Sequence, residues 1–278
     1  MKQIPCIDFT QGPHSLEQGS EGWKDLCNQV REACEQYGSF QVMYSKIPSK
    51  LCQDVFEECK PLFDLPQETK AKNTSSTPHF GYLGNSDLDI YRNFEGFGIA
   101  DSTLLEPVQA FADIMWPDGN PSFCEAVHSI SKHFHELEMI VMKMLCDAYG
   151  VAKHFKAQEE STQDLFRVNK YKIPQQNELP VVLGEHTDKG NITIICQDGI
   201  QGLEVLSRKG EWCQVAPSKE AFTVIISESL KAWSNGRLYA AIHRVTLGGQ
   251  KERYSYAMFG SPKVGETVDV PEAFIDQE

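Results

Sequence analysis

The chain has 278 residues, of which 41% are hydrophobic and 23% charged, which is typical of a globular protein with one large domain or two. Its formal net charge of −13 disfavours binding to nucleic-acid backbones and to anionic membrane surfaces. No apolar run is long enough to cross a bilayer, and the first residues lack the apolar core of a signal peptide. Nine cysteines without a C-x-x-C motif favour a reducing compartment. We therefore expect a cytoplasmic protein, and we expect it to be a monomer.

The first part of the chain combines short strands with amphipathic helices. Apolar residues recur at helical spacing in three segments, and short runs of strand-forming residues precede and follow the first of them. The predicted ranges are strands 4–9 and 39–44 and helices 21–37, 49–63 and 121–149, with Ser49 as the expected N-cap of the second helix. Residues 64–104 are rich in turn-forming residues and are expected to be mostly loop.

After residue 160 the pattern changes to short segments rich in β-branched and aromatic residues, separated by turns. Regular short strands of this kind are typical of an all-β sandwich or barrel. The segments are 165–173, 191–196, 202–206, 211–215, 221–226, 243–247 and 253–259. The sequence therefore predicts a helical N-terminal region followed by a β-domain.

Two residues in this β-region have the spacing of metal ligands. His186 and Asp188 are two residues apart, so on an extended strand their side chains point to the same face. His243 is the only histidine further along the chain, and it lies in a strand-like segment. Two histidines and one carboxylate form the facial triad that holds non-haem Fe(II) and leaves other positions open. The H-x-D pair alone is weak evidence, because most such pairs are solvated strand ends.

Arg253 and Ser255 form a second pair that shares one strand face. Arginine binds carboxylates through two parallel hydrogen bonds, and serine adds a hydroxyl donor. A buried arginine beside a metal would accept a dicarboxylate that has its other end on the ion. The alternative is a surface arginine on an edge strand.

These motifs resemble those of the plant 2-oxoglutarate/Fe(II)-dependent dioxygenases. The matching segments are H-T-D at 186–188, H-R-V at 243–245, R-Y-S at 253–255, I-P-C-I-D-F at 4–9, Y-G-S-F-Q-V-M-Y at 37–44, F-D-L-P-Q-E-T-K at 63–70 and V-N-K-Y-K-I-P at 168–174. The resemblance extends along nearly the whole chain. Within the family, the chain is similar to the branch that includes glucosinolate side-chain oxidases and steroidal-alkaloid hydroxylases.

The resemblance implies a fold and a division of the chain. The fold would be mainly β with helices: a distorted double-stranded β-helix, or jelly roll, plus an N-terminal helical region. The expected divisions are an N-terminal dioxygenase region at 1–110, a long supporting helix within 111–160 and the jelly-roll domain at 161–278.

The resemblance also implies residue roles. His186, Asp188 and His243 would bind Fe(II), and Arg253, Ser255, Tyr171 and Asn169 would bind 2-oxoglutarate. Phe259, His79, Phe80 and Tyr82 are expected on the substrate side. The implied reaction consumes 2-oxoglutarate and O2, releases succinate and CO2 and oxidises, most often by hydroxylation, a small specialised plant metabolite, with ascorbate as a possible reductant.

Three features depart from the family pattern. Ser227-Glu228 replaces the usual Gly-Asp, so we expect a rearranged turn. Ala240 replaces a common serine before the second histidine, and the chain ends at Glu278, where relatives continue. Two alternatives therefore stay open: a truncated, non-catalytic paralogue that binds metal or ligand, and an ascorbate-dependent oxidase of the same fold.

Three further histidines lie on the long predicted helix. They are His128, His133 and His135. Their spacing does not form a metal-binding motif on one helix face, and we interpret them as surface or capping residues.

Overall fold

Two β-sheets face each other, and helices cover the outer face of the larger sheet. The computed structural model describes residues 2–10, 16–84, 93–175 and 180–275. The strands are β1 (Lys2–Gln3), β2 (Cys6–Asp8), β3 (Ser39–Met43), β4 (Phe94–Ala100), β5 (Thr162–Tyr171), β6 (Val181–His186), β7 (Ile192–Gln197), β8 (Leu203–Leu206), β9 (Trp212–Gln214), β10 (Ala221–Ile226), β11 (Ile242–Thr246) and β12 (Arg253–Pro262). The helices are α1 (Glu21–Gln36), α2 (Ser49–Cys59), α3 (Gln67–Lys70), α4 (Leu105–Met115), α5 (Pro121–Ala148), α6 (Phe155–Ser161) and α7 (Glu228–Trp233).

The larger sheet contains seven strands in the order β2-β3-β10-β7-β12-β5-β4, and the smaller contains five in the order β1-β9-β8-β11-β6. Buried apolar residues from both sheets, among them Ile195, Ala257, Val205 and Val245, form one inner core between them. This arrangement is the jelly roll that the sequence predicted. Strands β2, β3 and β4, which come from the first hundred residues, complete the larger sheet.

The long helix α5 supports the outer face of the larger sheet. The side chain of Asn120 caps its first turn by accepting a hydrogen bond from the backbone N–H of Phe123 at 3.0 Å. Pro121 occupies the first helical position, and Gly150 follows the helix with a φ of 69°. The apolar face of α5 packs against the sheet and against α1, α2 and α4, and this contact forms the outer core.

The structure confirms the three main predicted helices and most strands, with shifts of a few residues at their ends. Three elements lie within or next to the segment 64–104 that we expected to be mostly loop, namely α3, β4 and α4. Ser49 is the first residue of α2 and not its cap, because Pro48 occupies the cap position. Within the described ranges, no helix combines the length and apolar character needed to span a membrane.

Candidate active site

The side chains of His186, Asp188 and His243 meet at one end of the smaller sheet. His186 ends β6, and His243 lies directly opposite it on the antiparallel neighbour β11, so that their ring centroids are 4.2 Å apart. Oδ1 of Asp188 lies 3.9 Å from Nε2 of His186 and 3.8 Å from Nε2 of His243. One potential ligand atom from each of the three lies within 4.8 Å of the others. The arrangement is therefore a compact group of two imidazoles and one carboxylate.

Both imidazoles are oriented by backbone carbonyls. Nδ1 of His186 lies 2.8 Å from the carbonyl oxygen of Gly184, and Nδ1 of His243 lies 3.1 Å from that of Ala241. Because a carbonyl can only accept, each Nδ1 donates its hydrogen to that oxygen, and the two Nε2 atoms are the ones that face Asp188. Burial, together with the nearby His243, lowers the pKa of His186 to about 4. A neutral imidazole with an oriented Nε2 is the form that binds metals.

Asp188 is held in place by its neighbours. Its Oδ2 accepts a hydrogen bond of 2.6 Å from the hydroxyl of Thr193, which leaves Oδ1 toward the two histidines. Its backbone carbonyl accepts a hydrogen bond of 2.9 Å from the N–H of Glu228, the first residue of α7. Ser227 has a φ of −112°, which serine adopts without strain. The Ser-Glu departure from the family pattern is thus accommodated in a regular helix start that contacts the Asp188 loop.

Arg253 is buried on the larger sheet and is only 1% exposed. Its Nη2 donates to the side-chain oxygen of Gln197 at 2.9 Å, and its guanidinium carbon lies 4.7 Å from the centre of the Tyr171 ring. Nε and Nη1 have no hydrogen-bond partner among the described residues. A buried guanidinium with open donors is costly unless an anion pairs with it, so this group fits a carboxylate ligand.

The register of the larger sheet places the other predicted cosubstrate residues around Arg253. On β12 and β5, Arg253 pairs with Tyr171 and Ser255 pairs with Asn169. All four line the same cavity as the two histidines and Asp188. The side-chain oxygen of Asn169 is buried and lacks a partner in the described part of the chain. The donor set fits Fe(II) and a dicarboxylate such as 2-oxoglutarate: two imidazoles and a carboxylate form one wall, and at another wall a guanidinium has two nitrogens without a partner among the described residues.

This cavity has a volume of about 860 Å³ and continues toward an apolar wall. Phe259, His79 and Phe80, the residues that we expected on the substrate side, line this cavity. Arg167 on β5 also lines it, and Nη1 of Arg167 donates to the carbonyl oxygens of His79 and Gly81, the latter at 3.3 Å. Arg167 therefore fixes the loop that carries His79 and Phe80 against the cavity.

Tyr82 is not part of the cavity wall, contrary to the sequence prediction. Its hydroxyl donates to Oε1 of Glu95 at 2.7 Å, and its ring packs at 5.0 Å from the ring of Phe97. Glu95 also pairs with Lys70 in the interior, so Tyr82 is held away from the cavity by a buried polar network.

Three residues of the site escaped the sequence analysis. Gln197 and Thr193 lie on β7, where every position is buried, so alternation of polar and apolar residues gives no signal. Arg167 could have been identified from the sequence. It is two residues from Asn169, so the two side chains share one strand face.

A jelly roll with two histidines, one carboxylate and a buried arginine around one cavity defines the class of non-haem Fe(II) oxygenases that use a keto-acid cosubstrate. Comparison with known proteins agrees with this class. Residues 162–262 match the 2OG-Fe(II) oxygenase superfamily, and residues 4–97 match the N-terminal region described as non-haem dioxygenase in morphine synthesis.

Individual relatives match along nearly the whole chain. The chain is 37% identical to the probable 2-oxoglutarate-dependent dioxygenase AOP1.2 of Arabidopsis thaliana, over 99% of this chain and 85% of that protein. A structure of the Arabidopsis thaliana dioxygenase for auxin oxidation 1 with 2-oxoglutarate has a TM-score of 0.86 and 27% identity, covering 99% of this chain and 98% of that one. The rice dioxygenase for auxin oxidation has a TM-score of 0.82 and 30% identity, with coverages of 99% and 88%.

The chain belongs to the 2OG-Fe(II) oxygenase superfamily, in the branch of plant 2-oxoglutarate-dependent dioxygenases. It is an oxidoreductase whose cofactor is Fe(II) and whose cosubstrate is 2-oxoglutarate. Both points confirm what the motifs around His186, His243 and Arg253 predicted.

Proposed function

We propose that His186, Asp188 and His243 are the Fe(II) ligands of this dioxygenase. Support comes from the two Nε2 atoms and the Asp188 Oδ1 atom, which face one another within ligand range. The Thr193 hydroxyl and the carbonyls behind the two histidines hold these atoms in place before the metal arrives.

Four residues hold 2-oxoglutarate in this proposal. Arg253 pairs with the distal carboxylate, and Ser255 adds its hydroxyl. Tyr171 supports the guanidinium from its ring face, and Asn169 offers its amide to the cosubstrate. Gln197 occupies one guanidinium nitrogen, which limits how Arg253 can rotate.

When bound, Fe(II) and 2-oxoglutarate would supply the oxidising power by activating O2: one oxygen atom would enter succinate as CO2 is released, and the other would be available to oxidise the substrate. The chain contributes position and exclusion of water. Phe259, His79 and Phe80 form the apolar wall against which a small organic substrate lies. Hydroxylation of a specialised plant metabolite is the outcome that we assign to this site.

The proposed setting is the cytosol, with the protein acting as a monomer. All nine cysteines lie in the described part of the chain and are free thiols, as a reducing compartment maintains them. One chain supplies every residue of the proposed iron and cosubstrate site, so catalysis needs no second subunit.

The single observation that carries the assignment is the buried Arg253, whose Nε and Nη1 find no partner among the described residues and which lines the same cavity as the histidine pair. The test measures succinate release from 2-oxoglutarate, with Fe(II) supplied, for the wild type and for Arg253→Gln and His243→Ala. We expect succinate from the wild type, a large rise in the KM for 2-oxoglutarate in Arg253→Gln, and no turnover in His243→Ala.

The same assay separates the alternatives. Turnover that depends on ascorbate and not on 2-oxoglutarate would identify an ascorbate-dependent oxidase. A panel of apolar acids and phenols serves as candidate substrates. If the wild type binds Mn(II) tightly but releases no succinate with any of them, it is a non-catalytic paralogue.

A further inference from the structure

A second cluster of potential metal ligands lies on the opposite side of the larger sheet from the cavity. His135 and Glu138 are three residues apart on α5, so they share one helix face. Asp164 lies across from them on β5, on the strand face opposite to Leu165 and Arg167, which line the cavity. One potential ligand atom from each of the three lies within 4.8 Å of the others.

Glu138 is the most unusual member of this cluster. It is 1% exposed, and neither carboxylate oxygen has a hydrogen-bond partner among the residues that the structure describes. Burial and the adjacent charge of Asp164 raise the pKa of Glu138 well above its ordinary value. Even a protonated carboxyl group needs an acceptor for its O–H, and none is present in the described surroundings. In either protonation state, the Glu138 carboxyl group therefore has no hydrogen-bond partner within the described part of the chain.

The carboxylate of Glu138 has a dedicated space. It lies directly against the backbone of Gly260 on β12. A Cβ atom added to Gly260 would lie 1.8 Å from Oε1 of Glu138. Gly260 pairs with Asp164 across the sheet, so the glycine opens the place beside Asp164 that the carboxylate fills. The position of Glu138 is thus set by the packing of α5 on β5 and β12.

His135 and Asp164 contact each other directly at the more exposed edge of the cluster. Nδ1 of His135 lies 3.3 Å from Oδ1 and 3.2 Å from Oδ2 of Asp164. A charge-assisted hydrogen bond between such groups is normally about 2.7–2.9 Å long. Two ligand atoms bonded at about 2.0–2.1 Å to a tetrahedral ion are separated by roughly 3.3 Å. The observed distances of 3.2–3.3 Å fit a hydrogen-bonded His135–Asp164 pair and also the separation of two ligands on one ion, so this contact accommodates either arrangement.

We propose that His135, Glu138 and Asp164 bind a Zn²⁺ ion that joins α5 to the larger sheet. One imidazole and two carboxylates carry the charge that neutralises a divalent cation, and an imidazole ligand favours Zn²⁺ over Ca²⁺ or Mg²⁺, which prefer oxygen ligands. The His135 side chain is 34% exposed, whereas that of Asp164 is 6% exposed. The ion enters from the His135 side, where a water molecule completes a tetrahedron. This site is structural and separate from the Fe(II) site.

The competing explanation is a protonated Glu138 with no ion, and it is separated from the proposal by counting zinc ions. The experiment uses the full chain after removal of metals by a chelator, in a His243→Ala background that disables the iron site. Zinc is titrated against a chromophoric chelator, and thermal unfolding is recorded with and without zinc.

We expect the His243→Ala protein to bind one zinc ion per chain and its unfolding midpoint to rise by roughly 5 °C or more at a zinc concentration about a hundredfold above Kd. Adding Glu138→Gln abolishes both effects. Adding Glu136→Gln, the same substitution on an exposed position of the same helix, leaves both unchanged.

Loss of the site is distinguished from loss of the fold by a further variant. His135→Ala removes a ligand at the partly exposed edge of the cluster. We expect this variant to keep the far-UV circular dichroism spectrum of the parent protein and to lose the zinc ion. The proposal is overturned if the His243→Ala protein binds no zinc, or if it binds zinc as tightly with Glu138→Gln or His135→Ala as without them.

Discussion

The side-chain oxygen of Gln197 accepts a hydrogen bond of 2.9 Å from Nη2 of Arg253, and this bond joins the adjacent strands β7 and β12 inside the cavity wall. It leaves Nε and Nη1 of the guanidinium as the donors without partners in the described residues. Gln197 is thus a positioning residue for the arginine that we assign to 2-oxoglutarate.

Replacing Gln197 with leucine keeps the approximate volume and removes the acceptor. Because a hydrogen bond to a charged group contributes about 1.5–3 kcal/mol, we expect the KM for 2-oxoglutarate to rise by roughly 10- to 100-fold, with a smaller change in kcat. Mn(II) affinity should stay at the wild-type value, since Gln197 does not touch the histidines. Gln201→Leu, at an exposed position nearby, is the matched control. An unchanged KM in Gln197→Leu would contradict the positioning role.

Thr193 holds Asp188, which we assign to the metal, in a similar way. Its hydroxyl donates to Oδ2 of Asp188 at 2.6 Å, and Thr193 itself is 1% exposed. Thr193→Val has the same shape without the hydroxyl, and we expect it to weaken Mn(II) or Fe(II) binding by about 10- to 100-fold. Thr193→Ser restores a hydroxyl and should recover most of the affinity. Metal affinity is measured by electron paramagnetic resonance with Mn(II). Equal affinities for the Thr193→Val and Thr193→Ser variants would show that this hydrogen bond does not orient Asp188.

The residues that we assign as ligands could be grouped from the sequence because the relevant spacing is local. Residues two apart on a strand share a face, so His186 with Asp188 and Arg253 with Ser255 could be paired from the sequence. The partners that orient them could not. Thr193 and Gln197 come from a strand on which all six positions are buried, and only the registers of β7 with its neighbours bring them to the site.

Strand β4 shows a different limit of sequence analysis. It lies at the end of the turn-rich segment 64–104, which we expected to be mostly loop, and Gly96 and Gly98 lower its strand propensity further. Close approach explains both glycines. A Cβ atom at Gly96 would lie 2.6 Å from the side-chain oxygen of Asn169, and one at Gly98 would lie 2.4 Å from the carbonyl oxygen of Phe80. Tertiary contacts at the site, which no local pattern encodes, select glycine here.

Lys70 and Glu95 form a buried ion pair with 2.5 Å between Nζ and Oε1. Removing the ammonium in Lys70→Met leaves the carboxylate buried, although Tyr82 and Lys172 remain near it. We expect a loss of about 3 kcal/mol in the free energy of unfolding at pH 7, measured with urea. Lys72→Met, at an exposed position two residues on, should change it by less than about 0.5 kcal/mol.

The same pair gives a pH dependence with a defined sign. Burial acts to raise the pKa of Glu95, but the hydrogen bonds from Lys70 and Tyr82 and the nearby charges outweigh it, so the pKa lies below its ordinary value of 4.5. A lowered pKa contributes stability that is complete above 4.5 and is lost as the pH falls through the folded-state pKa. The difference in unfolding free energy between the wild type and Lys70→Met should therefore shrink as the pH falls toward 4.5 and below. A difference that stays constant from pH 7 to pH 4 would contradict this account.

Gly260 and Glu138 should be coupled in stability, because the carboxylate fills the space where a Cβ atom would lie. Gly260→Ala in metal-free protein forces the two groups apart, and we expect it to cost about 1–3 kcal/mol. In Glu138→Ala the carboxylate is gone. Adding Gly260→Ala to that variant should therefore lower the free energy of unfolding by about 0.5–3 kcal/mol less than it does in the wild type. Gly248→Ala is the matched control, since no atom lies within 4 Å of its added Cβ. Urea unfolding of the four-member cycle measures the coupling. Additive effects of the two substitutions would mean that α5 can shift to accommodate the methyl group, and that the packing of Glu138 on β12 is not fixed.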